Sequence, residues 1–337
     1  MAQKVEQLSE SELCPDYLLK KQEEAFQRDI DRMLARADEF VAVDCPACGS
    51  SDASNAFSKF GFSYLECRTC RTLYMSPRPS VEVMSDYYQD SENYQMWADE
   101  IFPASESSRR EKIHIPWVER IREICSDAEI PRDVLMEVGP GFGTFSEVAT
   151  ESGAFKRVVA VEPTPQLAEA CRARGVEVIE KRIEDIDEMT DAVDVLASFE
   201  TIEHLFWPED FLRQCSRIIR SGGLLVLSCP NAAGFDVATL REESLAVDPE
   251  HVNLFNPSSI TSLLKRFGFT DVNVTTPGRL DAEFVRTAVL DGRHNLEGHP
   301  FLQRVLIDEW DRLGWPFQQF LAENGLSSHM WLWATKA

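Results

Sequence analysis

Short apolar runs and helical patterns alternate along the second part of the chain. Four runs are nearly continuous, as is typical of strands buried on both faces of a parallel sheet, and they occupy 134–138, 158–161, 192–199 and 224–229. Alternating apolar and polar residues predict two further strands at 270–276 and 329–336. The pattern therefore predicts an α/β fold with a mostly parallel sheet.

Helices are expected on both sides of this region. Residues 1–40 carry apolar side chains at helical spacing, among them Leu18, Phe26 and Ile30. This helix could pack on the next segment of the chain, pack on a second subunit, or remain a solvated tail. Between the last two predicted strands, residues 279–326 stand where a tight hairpin would suffice and predict one or two helices. That insertion could be a lid or the surface of a homodimer.

Four of the nine cysteines are spaced for a metal ion. They form two Cys-x-x-Cys turns separated by 18 residues, and they are Cys45, Cys48, Cys67 and Cys70. Each turn can direct two thiolates at one tetrahedral ion, so the spacing predicts a small ribbon with structural zinc. Two disulfides, an iron centre of the rubredoxin kind and free thiols are the alternatives. Arg71 follows the second turn at a position where such ribbons often carry glycine.

Composition restricts the partners of the protein. The 337 residues are 44% hydrophobic and carry a formal net charge of −23. A surface of that sign repels phosphate backbones and anionic membranes, so neither nucleic acid nor a membrane is expected as a partner. Residues 1–7 lack a signal region, and no apolar stretch approaches the roughly 20 residues of a membrane span. A cytoplasmic location is therefore expected.

The most informative motif follows the first predicted strand. The run at 134–138 contains Glu137 and leads into a turn with three glycines at 139–143, and the next apolar run ends in Glu162. Such a βαβ unit holds a nucleoside. A dinucleotide site would need a glycine where Thr144 stands, so a ligand without a pyrophosphate fits better.

This unit resembles motif I of the class I S-adenosylmethionine-dependent methyltransferases. Segments 192–205, 218–231 and 248–257 resemble the ubiquinone-methyltransferase-like branch of that family, in the expected order. The resemblance covers roughly residues 130–275. It implies a Rossmann-like sheet of seven strands whose last strand is antiparallel.

The segment in front of the sheet adds to this resemblance. A cysteine ribbon followed by the Pro-Arg-Pro sequence of 77–79 is similar to methyltransferases of nucleotide-sugar and polysaccharide pathways. The chain is then expected to have four parts. An N-terminal helical segment covers 1–40, a zinc ribbon 41–78, a helical cap 79–130, and a methyltransferase domain with the helical insertion 131–337. Aromatic residues of the cap could cover the cofactor or the acceptor, or they could form an ordinary core.

The resemblance implies S-adenosylmethionine as co-substrate. Glu137 and the glycine turn would hold its methionyl part, Glu162 the ribose, and Ile183 with Glu184 the adenine. The complete set of predicted cofactor-binding residues is Glu137, Gly139, Pro140, Gly141, Gly143, Glu162, Pro163, Ile183, Glu184, Phe199 and Glu200.

The candidate catalytic residues follow from the demands of methyl transfer. An oxygen or carbon acceptor has to lose a proton, and histidine titrates in the right range. His251 is the first candidate base, and His204 is a positioning residue or an alternative base. Either histidine could instead only shape the pocket, and Glu203 could orient a histidine or cap a helix. The remaining histidines, including His329, are expected to be structural or on the surface.

The expected acceptor is a small polar molecule. A hydroxyl of a sugar, sugar nucleotide or natural-product intermediate is the first hypothesis, and C-methylation of a keto nucleotide sugar is the second. A lipid quinone is disfavoured because no amphipathic stretch has a basic face. A catalytically silent zinc-ribbon adaptor is opposed by the intact motif I. An NAD-dependent oxidoreductase is opposed by Thr144 and by the lack of a Tyr-x-x-x-Lys pair.

Overall fold

The computed structural model describes residues 7–337, which form two sheets surrounded by helices. Residues 1–6 lie outside the described part of the chain. They include the start of the predicted N-terminal helical segment and most of residues 1–7, in which no signal region is predicted. The strands are β1 (Ala53–Lys59), β2 (Phe62–Cys67), β3 (Leu73–Met75), β4 (Val134–Val138), β5 (Arg157–Val161), β6 (Glu177–Ile179), β7 (Val193–Phe199), β8 (Ile219–Pro230), β9 (Asn253–Leu254), β10 (Phe269–Thr275) and β11 (His329–Lys336).

The larger sheet has seven strands in the order β10-β11-β8-β7-β4-β5-β6. Strand β11 runs antiparallel to both of its neighbours, and the other pairs that touch are parallel. Central residues such as Leu135, Val159 and Val195 are completely buried, because helices cover both faces of the sheet. The predicted Rossmann-like sheet with an antiparallel last strand is confirmed.

Helices precede, alternate with and follow these strands. In chain order they are α1 (Asp16–Leu34), α2 (Val81–Asp90), α3 (Glu92–Met96), α4 (Phe102–Arg109), α5 (Ile115–Asp127), α6 (Thr144–Ser152), α7 (Pro165–Ala173), α8 (Pro208–Ile218), α9 (Phe235–Leu240), α10 (Pro257–Arg266), α11 (Asp281–Leu290), α12 (Pro300–Gln303) and α13 (Trp310–Glu323). Single turns of π-helix join α3 to α4 and α4 to α5, so the cap is almost continuously helical.

The smaller sheet has the order β1-β2-β3-β9. Its first three strands come from the cysteine segment, and its fourth, β9, comes from the loop before α10. Helix α1 packs on this sheet, with Ile30 and Met33 in one apolar cluster with Phe62 and Tyr64. The small sheet is therefore joined to the rest of the chain by a shared strand as well as by an apolar core.

A buried carboxylate fixes α1 against the cap. Asp29 is fully buried and accepts hydrogen bonds from the Ser91 hydroxyl at 2.6 Å and from the amides of Glu92 and Asn93 at 3.1 and 2.9 Å. These amides belong to the first turn of α3, where backbone donors have no partner within the helix. Asp29 thus supplies an N-terminal cap from a different helix.

Arg78 and Asn253 connect the smaller sheet to the loop that follows β7. Arg78 is 1% exposed, and its guanidinium donates to the carbonyls of Met75 and Phe206 and to Asn253 Oδ1, at 3.1–3.2 Å. The Asn253 amide nitrogen in turn donates to the Leu205 carbonyl at 2.7 Å. Burial lowers the pKa of Arg78 to about 10, so it remains charged at neutral pH.

The insertion between β10 and β11 contains α11, the short α12 and α13, where the sequence predicts one or two helices. Ala282 and Val285 of α11 pack in one cluster with Leu240 of α9. The insertion is therefore anchored on helix α9, which follows β8 of the larger sheet. Among the helices of residues 7–337, none combines the length and the apolarity needed to cross a membrane.

Arg78→Lys tests the connection between the two sheets. Lysine cannot reproduce the planar fork of donors, and the acceptors left unpaired in a buried site lower the free energy of unfolding by about 2 kcal/mol. Chemical denaturation of both proteins measures the difference. The matched control is Arg68→Lys, because Arg68 is exposed and its ion pair within residues 7–337 is with exposed Asp52. The free energy of unfolding of this variant is expected to change by no more than about 0.5 kcal/mol. Equal changes in the two variants would contradict the assignment.

Candidate active site

A cavity of about 1030 Å³ opens at the carboxyl ends of β4, β7 and β8. Ligands of open α/β sheets bind at this edge, where the strand order changes direction. The predicted residues that line the cavity are Glu137, Gly139, Pro140, Gly141, Phe199, Glu200 and His251. The cap contributes Phe102 and Trp117, and the start of α11 contributes Asp281 and Phe284.

The glycine turn after β4 passes very close to neighbouring elements. A side chain at Gly139 would place its Cβ 2.7 Å from Thr201 Oγ1, and one at Gly143 would lie 2.9 Å from Cys171 Sγ. Both glycines also have positive φ, at 70° and 79°. Around Gly141, by contrast, the Cβ direction is open and faces no atom within 4 Å. Two glycines are thus required by packing, and the third leaves the backbone accessible to a ligand.

Two acids stand at the ends of adjacent strands. Glu137 is 3% exposed, accepts a hydrogen bond from Ser146 Oγ at 2.5 Å, and has its pKa raised to about 7 by burial. Glu162 follows β5 and accepts a hydrogen bond from the Thr164 amide at 2.8 Å, and burial raises its pKa as well. The pairing of Val138 with Val161 brings the two strand ends together.

Several predicted cofactor-binding residues lie behind the cavity wall. Among the described residues the wall does not include Gly143, Glu162, Pro163, Ile183 or Glu184. The side chain of Ile183 is 3% exposed and belongs to the main hydrophobic core. Its segment is fixed by Gln214 of α8, whose amide nitrogen donates to the carbonyls of Ile183 and Glu184 at 3.3 and 2.9 Å.

Aromatic side chains and an ion pair lie together at the end of β7. The ring of Trp117 packs against Phe199 with centroids 4.4 Å apart and the ring planes tilted by 33°. Glu200 adopts a positive φ of 47° and accepts hydrogen bonds from Ser228 Oγ at 2.6 Å and His329 Nε2 at 3.0 Å. The Glu200 side chain is 43% exposed, and the His329 charge and the two donors outweigh the effect of its partial desolvation and lower the pKa of Glu200 to about 2. Glu200 correspondingly raises the pKa of His329 against the opposing effect of burial.

The two candidate catalytic histidines are adjacent. Their ring centroids are 4.8 Å apart. Nδ1 of His251 lies 2.9 Å from the Ala246 carbonyl, and since a carbonyl can only accept, Nδ1 carries the proton and Nε2 is free to act as a base or ligand. His204 lies behind His251 with Nδ1 3.4 Å from the Tyr88 hydroxyl. Burial lowers its pKa to about 3, so it is neutral at physiological pH.

The sequence prediction missed polar residues of the cavity wall, among them His329, Asp236 and Asp281. His329 was expected to be structural or on the surface, yet it lines the cavity beside Glu200, as do the buried acids Asp236 and Asp281. The position of His329 follows from the strand direction: β11 is antiparallel, so its first residue meets Pro230 at the carboxyl end of β8. The two aspartates lie at the starts of α9 and α11, where the sequence shows no motif.

The four cysteines form a second cluster, remote in sequence from the cavity residues. Their sulfur atoms all lie within 4.8 Å of one another, with Cys45 to Cys70 at 3.5 Å and Cys48 to Cys67 at 3.6 Å. Sulfurs bound to one zinc ion at about 2.3 Å are roughly 3.8 Å apart in a tetrahedron. Gly49 and Arg71 follow the two turns with φ of 71° and 63°. Arg71 thus adopts the conformation that glycine adopts in the other turn.

A family model described as a methyltransferase domain matches residues 106–274, half of the chain. The matched region contains the glycine turn, both strand-end acids and the three candidate catalytic residues. It does not contain the four cysteines.

Curated relatives cover a similar region. A probable S-adenosylmethionine-dependent methyltransferase of Mycobacterium tuberculosis is 33% identical over 143 residues, which are 42% of this chain and 50% of that protein. A ubiquinone biosynthesis O-methyltransferase of Xanthomonas oryzae pv. oryzae is 31% identical over 121 residues, or 33% of this chain and 50% of that protein. The chain spans about half the length of these relatives.

Solved structures resemble the chain more distantly. A SAM-dependent methyltransferase from Archaeoglobus fulgidus aligns with a TM-score of 0.42 at 17% identity, covering 65% of this chain and 94% of that one. The match of the family model to half of the chain shows that the protein belongs to the methyltransferase-domain family.

Proposed function

We propose that the protein transfers a methyl group from S-adenosylmethionine to a small polar acceptor. The observation that carries the proposal is the accessible backbone at Gly141 between two buried acids at the carboxyl edge of the sheet. A carboxylate in this position can accept hydrogen bonds from an ammonium group or from ribose hydroxyls. The same carboxylate would repel the negative charges of a pyrophosphate. Membership in the methyltransferase-domain family supports this assignment.

The two acids suit the two ends of the nucleoside substrate. We assign Glu137, which lines the cavity, to the methionyl part, and a cation beside it would favour its ionised form. Glu162 is assigned to the ribose, since a carboxylate can accept more hydrogen bonds than the one from the Thr164 amide. Ile183 and Glu184, with Pro163, are assigned to the adenine end, which requires the substrate to extend past the present cavity wall.

The proposed transfer to a hydroxyl acceptor is a direct displacement. The acceptor oxygen forms a bond to the methyl carbon, the carbon–sulfur bond breaks, and its electron pair stays on sulfur to give a neutral thioether. The acceptor proton passes to Nε2 of His251, which the bond from Nδ1 to Ala246 leaves available. His204 supports the His251 ring from behind, and Phe199 and Trp117 exclude water beside the methyl group.

The acceptor we favour is a hydroxyl of a sugar or of a sugar-nucleotide or natural-product intermediate. The cavity wall contains hydrogen-bond acceptors in Asp236 and Asp281 and a ring that can donate or accept in His329. The hydroxyl groups of a sugar can pair with both donors and acceptors. Residues of α11 contribute to that wall, which favours a lid role for the insertion at 279–326. C-methylation of a keto nucleotide sugar uses the same base and remains the second hypothesis.

We further propose that the cysteine cluster binds one structural zinc ion. The separations between the sulfur atoms are close to those of a tetrahedral thiolate site. Four protein ligands leave no open coordination position, so the ion would stabilise the small sheet and take no part in the reaction.

Glu162→Ala tests the nucleoside site. Loss of charge-assisted hydrogen bonds to the ribose weakens binding of S-adenosylhomocysteine by at least about tenfold, as measured by calorimetry. The control is Glu169→Ala, which removes an exposed acid of α7 and leaves the affinity unchanged. Equal affinities in the two variants would overturn the role of Glu162.

His251→Ala separates binding from chemistry. S-adenosylhomocysteine affinity is expected to stay within about twofold, while turnover with an acceptor found in a nucleotide-sugar screen falls by about 100-fold or more, as for removal of a general base. His299→Ala, at the start of the short α12, is the control for turnover. A parallel loss of cofactor affinity in His251→Ala would show that this residue belongs to the cofactor site.

Metal analysis tests the zinc proposal. Purified protein is expected to contain about one thiolate-bound zinc ion per chain, and replacement of all four cluster cysteines by serine removes it and lowers the thermal midpoint. The control is Cys14→Ser, because Cys14 lies outside the cluster. This variant should retain the zinc ion. The proposal would be contradicted if wild-type protein freed of metal had the same thermal midpoint as the zinc-loaded wild-type protein.

A further inference from the structure

Glu203 is a buried acid that no hydrogen bond satisfies. Its exposed fraction is 0%, and both carboxylate oxygens lack a donor among the described residues. An unpaired carboxylate inside a protein costs several kcal/mol unless a positive charge or donors compensate it. A cation bound beside Glu203 would supply such a charge.

Two imidazoles lie next to this carboxylate. One ligand atom from each of Glu203, His204 and His251 can be chosen so that all three lie within 4.8 Å of one another. Ligands of a single transition-metal ion, at about 2.0–2.2 Å from it, are roughly 3–4 Å apart. Small side-chain rotations would close the remaining difference.

The orientation of His251 suits a metal ligand. A ligating histidine usually donates its other ring N–H to a carbonyl or a carboxylate, which fixes the tautomer. Nδ1 of His251 makes such a bond to the Ala246 carbonyl at 2.9 Å. Asn253 holds the same loop from below, with its backbone amide donating to the Glu203 carbonyl at 3.0 Å. Three ligands are thus presented by two segments that are fixed to each other.

We propose that Glu203, His204 and His251 bind a divalent transition-metal ion beside the cavity, at the part of its wall formed by His251. Three protein ligands of the N, N, O type leave coordination positions open, which is the arrangement of catalytic rather than structural metal sites. Among the described residues, His251 lines the cavity whereas Glu203 and His204 do not, so an acceptor would reach the ion past the His251 ring.

This inference rests on the proposed function and changes one of its steps. A cation at this site would bind the acceptor oxygen and lower the pKa of its hydroxyl. The hydroxyl proton would then pass to a water molecule of the cavity, and His251 would act as a ligand instead of as the base. The electron pair of the resulting alkoxide forms the bond to the methyl carbon, as before.

Calorimetric titration with Co²⁺ and, separately, Mn²⁺ tests the site. The protein is first loaded with one zinc ion per chain, which the four thiolates take up, and excess zinc is removed so that none remains at the second site. Saturable binding of about one Co²⁺ per chain is expected, without the thiolate-to-cobalt charge-transfer absorption that exchange into the cysteine cluster would produce. Glu203→Gln should weaken Co²⁺ binding by at least about tenfold, since loss of even an outer partner of a metal ligand has that effect. The control, Glu297→Gln, alters an exposed acid of the insertion and leaves Co²⁺ binding unchanged.

A second variant covers the case in which Glu203→Gln does not fold. His251→Ala lies at the cavity wall and should also weaken Co²⁺ binding at least about tenfold, while S-adenosylhomocysteine still binds. If wild-type protein binds S-adenosylhomocysteine but neither metal, the cation site is wrong and the proposed function stands. Metal binding that is unchanged in His251→Ala also overturns the site. If S-adenosylhomocysteine does not bind to the wild type, the proposed function fails independently of the metal.

Discussion

At Gly139 and Gly143 the backbone after β4 is packed too closely to carry a side chain, and the position of the candidate active site depends on these contacts. Gly139 lies against Thr201 and Gly143 against Cys171, so the turn is clamped between the loop after β7 and helix α7. The clamp fixes Glu137 and exposes the backbone at Gly141. Because the same contact joins the turn to the loop that carries Glu200, Glu203 and His204, it positions the proposed nucleoside-binding residues and the proposed catalytic residues together.

The small sheet supports that loop from the opposite side. Strand β9 adds to the cysteine-bearing sheet through Asn253, whose side chain also holds the carbonyl of Leu205. Arg78, buried beneath it, donates to Asn253 and to the carbonyl of Phe206. Any metal that orders the cysteine turns would therefore stabilise, through this path, the segment that holds the two histidines. The ribbon can influence the reactive end of the cavity without touching a substrate.

The sheet and the glycine turn could be predicted from the sequence because their patterns are local. Nearly continuous apolar runs identified the buried strands, and the acids at their ends identified one edge of the sheet. The role of His329 could not be read in this way, since its place beside Glu200 depends on the antiparallel course of β11. The same is true of Asp236 and Asp281, and of Asp29, which caps α3 from 62 residues away in sequence. Long-range polar contacts carry no periodic signal.

The central claim is that the sheet edge binds S-adenosylmethionine. It is tested most directly by calorimetry of the wild-type protein with S-adenosylmethionine, S-adenosylhomocysteine and NAD. The account predicts saturable binding of the first two with dissociation constants in the micromolar range, and no binding of NAD. Binding of NAD, or of none of the three, would contradict it, and the second result would favour a catalytically silent domain that acts through a protein partner.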